Sequence, residues 1–347
     1  MTDETPGGRM NAEIAEQPGV LAEIVTRRAD IRRVADVIAR RAPRFALLAA
    51  RGSSDHAALY AKYLIEVLLR LPAGSVSPST TTLYDARPDL STVLYLTISQ
   101  SGRSPDLIEV TEAARRSGAL TVAITNDPAS PLNACAELSV DIGAGPELAV
   151  AATKTYTATL LALYLLIDGV RGGNAGAVTD IGALAEATLT GGAGAVRDAA
   201  ARFRYVERMV TTGRGYSSAS AAEAALKLAE TSYLAARAYS GADLLHGPVA
   251  AIDADTGVVA VTSAGHGGAA MRGVVRAVRG RGADVLAVGS AAAGMPASSR
   301  IDVPETAEEV APILEVLPLQ RLALELALAR GVDPDRPRGL NKITKTR

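Results

Sequence analysis

The chain has 347 residues, 48% of them hydrophobic, and a formal net charge of −1 that argues against nucleic acid as a partner. With no Trp and only two Phe it lacks base-stacking surfaces, and a lone cysteine, Cys135, excludes an internal disulfide and any multi-cysteine zinc site. Single cores stop growing at roughly 250–300 residues, so two lobes are expected, packed from Ala, Val, Leu and Ile.

The opening MTDETPGG has neither the positive start nor the apolar run of a secretory signal, and residues 1–40 read as an N-terminal helical segment. Short aliphatic runs ending in Gly or Ser, each followed by helical spacing, then recur in the βαβ pattern of a parallel sheet. The predicted strands are FALLAA (45–50), VLYLTI (93–98), LTVAIT (120–125) and LSVDI (138–142). A long helical stretch follows, 147–169 and then 179–203, with RGGNAG between as the linker. Its apolar core, 158–170, carries Tyr164 and Asp168 and is too short to cross a bilayer, so a cytoplasmic protein without membrane contact is expected. A second set of strands closes the chain: VERMVTT (206–212), GVVAVT (257–262), DVLAVG (284–289) and RIDV (300–303).

The two sets align strand for strand at an offset of about 164 residues, which marks an internal duplication. The expected organisation is an α/β domain over 41–175, a second over 176–330 and a tail over 331–347, each domain a parallel sheet flanked by helices in a three-layer, flavodoxin-like sandwich. The copies differ in one loop, where the first has SQSGRS (99–104) and the second SAGHGG (263–268).

That first loop sits where a strand hands over to a helix. The helix N-terminus points unpaired N–H groups and about half a positive charge at the crevice where open α/β sheets bind ligands. Ser99, Gln100, Ser101 and Ser104 add neutral donors suited to a phosphate; Gly102 permits close backbone approach, and Pro105 fits a first helical position. An ordinary N-cap needs one hydroxyl, not three and an amide. Ser53 and Ser54, in ARGSSD after a neighbouring strand, complete the cradle. GRGYSS (213–218) lacks the third Gly and the acidic residue of a dinucleotide fingerprint, and no Gly loop has the Walker spacing, so a small phosphate ester is indicated rather than a nucleotide.

These residues resemble the SIS (sugar isomerase) domain proteins, most of all the tandem isomerase half of glucosamine-6-phosphate synthase and the stand-alone glucosamine-6-phosphate deaminases. The similarity runs through EIAEQP (13–18), RGSSDHAALYAKYLIE (51–66), SQSGRSPD (99–106), TNDPASPL (125–132), ELAVAATKTYTATL (147–160), GRGYSSASAAEAALKLAETSYLAARAYSGADLLHGP (213–248) and the closing RPRGLNKITKTR. It implies that Ser54, Ser99, Gln100, Ser101 and Ser104 bind the phosphate, that backbone at Val150 and Ala151 lines the sugar, and that Glu230 is the base moving a proton between C1 and C2. It further implies Lys227 as an amine beside that base, His246 as the ring-opening histidine of the partner subunit's site in a homodimer, and Lys342 as the tail lysine closing over the carbonyl. Departures are Arg103 and Pro105, where the synthase has SQSGET, and Leu245 in place of a lysine. The synthase's glutaminase half does not precede this sequence, so glutamine nitrogen is not the expected donor.

Glu223, Lys227 and Glu230 share one helical face by their i, i+4, i+7 spacing, and a charged row of that kind ordinarily faces solvent. His246 exchanges protons near neutral pH as ring opening requires, whereas His56 and His266 read as structural or surface residues. A lysine as close to the chain end as Lys342 is ordinarily a solvated charge, and its mobility would suit a lid. The expected reaction, with no metal or other cofactor, converts glucosamine 6-phosphate to fructose 6-phosphate and ammonia. Alternatives are a dehydratase or lyase eliminating the 3-hydroxyl of the N-acetylated sugar phosphate, and a non-catalytic sugar-phosphate sensor, against which the missing DNA-binding module weighs.

Overall fold

The computed structural model describes residues 5–340 and 342, and the chain divides into two compact lobes. The first lobe holds residues 20–147, 154–179 and Lys342; the second holds residues up to Gly19, 148–153 and 180–340.

The first lobe is built on β1 (Phe45–Ala49), β2 (Ala73–Ser75), β3 (Val93–Ile98), β4 (Leu120–Thr125) and β5 (Leu138–Asp141). All neighbours pair in parallel, in the order β2-β1-β3-β4-β5. Helix α1 (Gly8–Thr26) comes first in the chain, its residues to Gly19 belonging to the second lobe. Helices α2 (Arg28–Arg41), α3 (Ser53–Leu64), α4 (Pro78–Thr82), α5 (Pro105–Arg116), α6 (Pro131–Cys135) and α7 (Lys154–Val170) complete the first lobe.

The second lobe repeats the plan with β6 (Arg208–Gly213), β7 (Ala235–Ser240), β8 (Thr256–Val261), β9 (Asp284–Gly289) and β10 (Ser299–Asp302), again all parallel. Its helices are α8 (Ile181–Gly191), α9 (Ala193–Phe203), α10 (Ser217–Ser232), α11 (Gly241–Leu245), α12 (His266–Arg279) and α13 (Ala311–Ala329). The order β10-β9-β8-β6-β7 is the same succession read from the other edge, so the duplication seen in sequence is a duplication of topology.

The aliphatic runs became the central strands because a parallel sheet is covered on both faces; every residue of β3, β4 and β8 is buried. The two strands that sequence reading missed, β2 and β7, occupy the same edge of their respective sheets. Their sequences, AGS and AARAYS, carry no apolar run, because an edge strand needs to cover less. The helix expected from residue 147 begins at Lys154. Glu147 stands outside it and caps it, its carboxylate accepting the Thr155 N–H at 3.0 Å and the Thr155 hydroxyl at 2.7 Å. No described helix is long and apolar enough to cross a membrane.

Candidate active site

Strands β1 and β3 lie side by side in register, Ala49 opposite Thr97, so the loops leaving their carboxyl ends emerge together. In this strand order β1 and β3 flank the topological switch point, where open α/β sheets bind ligands. Gly52, with φ +57°, precedes Ser53 and Ser54 at the start of α3; the second loop leads from Ser99 into α5. Ser99 is buried and its Oγ accepts the Gly102 N–H at 3.2 Å, while Ser101 Oγ accepts the Arg103 N–H at 3.3 Å.

Ser104 is the N-cap of α5 by backbone geometry, with Pro105 following, yet its hydroxyl makes no capping bond. Among the described residues the side chains of Ser54, Gln100 and Ser104 have no hydrogen-bond partner, and all three are half-buried. These donors are therefore uncommitted, as an anion cradle requires and an ordinary cap does not. Arg51 joins the two loops by an ion pair to the buried Asp106 at 2.9 Å. Arg103 instead turns aside to Asp127 at 2.8 Å. Gly102 has a further reason to be glycine: at φ +60° it lies so close to Ser130 that a Cβ there would come 2.2 Å from the Ser130 oxygen.

In the second lobe, α10 carries Glu223, Lys227 and Glu230. The row does not face solvent: the side chains of Glu223 and Lys227 are 0% and 1% exposed, and only Glu230, at 25%, opens outward. The Lys227 ammonium lies 3.4 Å from Glu223 and 2.5 Å from Glu230. A buried ammonium is tolerable only when carboxylates and hydrogen bonds replace its water, and here the helix supplies both carboxylates. Tyr233, left-handed at φ 54°, ends α10, and its hydroxyl accepts the Arg338 N–H at 2.9 Å while the Arg338 guanidinium stacks 4.0 Å from its ring.

His246 is exposed beyond the last turn of α11, and among the described residues its ring bonds to nothing, Lys227 and Glu230 included. Val150, half-buried, and Ala151, buried, lie in the 148–153 segment of the second lobe. Lys342 pairs with Glu147 at 2.7 Å within the first lobe, and the Glu147 side chain is fully buried. Sequence reasoning gave neither Glu147 nor Glu13 a role; the only signal was their presence at the head of the ELAVAATK and EIAEQP stretches.

The SIS domain family matches residues 41–168 and 203–330. This chain belongs to it. A protein from Silicibacter pomeroyi DSS-3, provisionally assigned as a phosphosugar isomerase, superimposes with a TM-score of 0.87 at 35% identity, over 94% of this chain and 99% of that one. The C-terminal domain of glucosamine-fructose-6-phosphate aminotransferase from Francisella tularensis gives a TM-score of 0.84 at 25% identity, over 96% and 99% of the two chains. The isomerizing glutamine–fructose-6-phosphate aminotransferase of Pyrobaculum aerophilum is 36% identical over 96% of this chain, which spans 56% of that relative's length.

The second SIS domain keeps the loop and helix of the first but supplies its own anion. Glu308 accepts the first N–H groups of α12, from His266 at 2.9 Å and Gly267 at 2.7 Å. A Cβ at Gly265 would come 2.3 Å from the Glu308 carboxylate and one at Gly267 2.9 Å from it, so these two glycines of SAGHGG make room for that side chain. Behind them Ser217 and Ser220 each donate at 2.8 Å to the fully buried Glu315, and Ser263 lies 3.1 Å from Ser217. Burial pushes the Glu315 carboxyl up to about 7 despite these hydroxyls.

Proposed function

We propose that this SIS protein isomerises sugar phosphates and that its substrate is glucosamine 6-phosphate, which it converts to fructose 6-phosphate and ammonia. The reading is supported by two features, one in each lobe: a serine-rich loop region in which the side chains of Ser54, Gln100 and Ser104 have no partner among the described residues, and a carboxylate, Glu230, held at the open end of a buried charge row. The loops at Ser54 and Ser99–Ser104 take the ester oxygens. In the opened sugar Glu230 removes the C2 proton, leaving an enaminol across C1 and C2, and returns a proton at C1. The product is a 2-imine; water adds at C2, ammonia leaves, and the ketone remains. Lys227 fixes the Glu230 carboxylate through its 2.5 Å contact, and positioned acid–base groups of this kind contribute about 10²- to 10⁴-fold each.

His246, exposed and with its ring unengaged by the described residues, is proposed to open the sugar ring in a partner copy of the chain. Lys342 is proposed to meet the carbonyl end. The deciding experiment incubates the protein separately with glucosamine 6-phosphate and its N-acetyl derivative, assays ammonia and identifies the sugar by mass. Ammonia with fructose 6-phosphate is expected; loss of one water from the acetylated sugar would instead mark a dehydratase, and binding without turnover a sensor. Mixing Glu230→Gln with His246→Ala chains should restore part of the activity that each lacks alone, because a mixed dimer rebuilds one intact site; no recovery would refute the shared site.

A further inference from the structure

The EIAEQP stretch takes no part in the chemistry just described, yet the structure gives Glu13 and Gln17 work within the second lobe. Pro18 lies inside α1 and has no N–H to offer the Ile14 carbonyl four residues back. Gln17 Nε2 donates to that carbonyl at 3.1 Å instead, so Gln17 repairs the ladder that Pro18 interrupts. Ile14, fully buried, anchors the turn in the core.

Glu13 remains, 4% exposed, with its carboxylate turned onto the irregular segment 148–153. It accepts the Leu148 N–H and the Ala149 N–H, the latter at 3.2 and 3.3 Å from its two oxygens. Outside regular structure these amides have no ladder to join, and a carboxylate answers two of them at once. The helix that presents it is itself fastened. Asp333 accepts the Gly7 N–H at 3.0 Å, and Asp335 accepts those of Arg9 and Met10 at 2.8 and 3.0 Å.

We propose that Glu13 is a positioning residue for the sugar: by fixing the backbone at Leu148 and Ala149 it sets the next two residues, Val150 and Ala151, against the hexose. This rests on the reading above that Val150 and Ala151 line the sugar. The inference gives Glu13 a selective signature, because the ester is proposed to be held by other residues. Loss of its carboxylate should weaken recognition of the sugar and leave recognition of the phosphate alone.

The test measures, for the full chain and its Glu13→Ala and Glu13→Gln variants, the Kd of fructose 6-phosphate and of inorganic phosphate, with hydrogen exchange across 148–153. Misplacement of a positioning segment costs up to about a hundredfold, so the advantage of fructose 6-phosphate over phosphate should fall at least about tenfold in Glu13→Ala and less in Glu13→Gln. The phosphate Kd should stay within about twofold, and the Leu148 and Ala149 amides should exchange faster while those at 99–104 do not. Should Glu13→Ala fail to fold, the isosteric Gln variant carries the test. Parallel loss of both affinities, an unchanged ratio, or a wild-type ratio near one would overturn the proposal. Turnover by the wild type tests the proposed function separately, so the two can fail independently.

Discussion

Replacing Lys227 by Met isolates what the buried charge row does. Its ammonium is 1% exposed and faces Glu223 at 3.4 Å and Glu230 at 2.5 Å, of which Glu223 is fully buried. Removing one partner of such a pair strands an interior carboxylate and costs about 3–5 kcal/mol. At about 1.4 kcal/mol per decade this lowers the folding constant by two to more than three orders of magnitude. Adding Glu223→Gln removes the stranded charge, so the double variant should recover a large part of the loss. An exposed pair, Arg33 with Asp30, has side chains 74% and 58% exposed, and Arg33→Ala should cost under about 1 kcal/mol. The chain has no Trp, so urea unfolding is followed by far-UV circular dichroism. If Lys227→Met stays within about 1 kcal/mol of the wild type, or the double variant is no more stable than the single, the burial argument fails.

The remaining predictions concern the loops and their helices. Glu315 has a folded pKa raised by burial from 4.5 to about 7, so its protonated form favours folding below pH 4.5 and that advantage is lost as pH rises through about 7. The gain in unfolding free energy of Glu315→Gln over the wild type should therefore be small near pH 4.5 and grow until about pH 8, approaching about 3 kcal/mol; a gain independent of pH would refute it. Glu308→Ala removes the carboxylate that holds the first amides of α12 and should destabilise the second lobe by about 0.5–2 kcal/mol, measured by thermal melting. Because the Ser104 hydroxyl caps nothing, Ser104→Ala should leave Tm almost unchanged but weaken phosphate binding several-fold by calorimetry, about 1 kcal/mol; the reverse pattern would make it an ordinary cap.

The central strands were legible because burial on both faces forces unbroken aliphatic runs such as VLYLTI and LTVAIT. The edge strands AGS and AARAYS were not, since their pairing is set by the neighbouring strand rather than by their own pattern. The serine-rich loop at the end of β3 was legible as a local excess of hydroxyls; that it holds a phosphate is a proposal. The burial of Lys227 was hidden, because i, i+4, i+7 spacing reports which residues share a face and not what covers it. Glu13 was hidden for another reason: the amides it holds lie 135 and 136 residues away, and no local rule spans that separation.

Glu308 reaches the α12 amides from 41 and 42 residues further along the chain. A group tethered by its own backbone competes at an effective concentration on the order of millimolar, and a dissolved anion of equal intrinsic affinity must exceed that to displace it. Retiring a duplicated pocket thus requires no change of architecture, only one acidic side chain on a leash of the right reach.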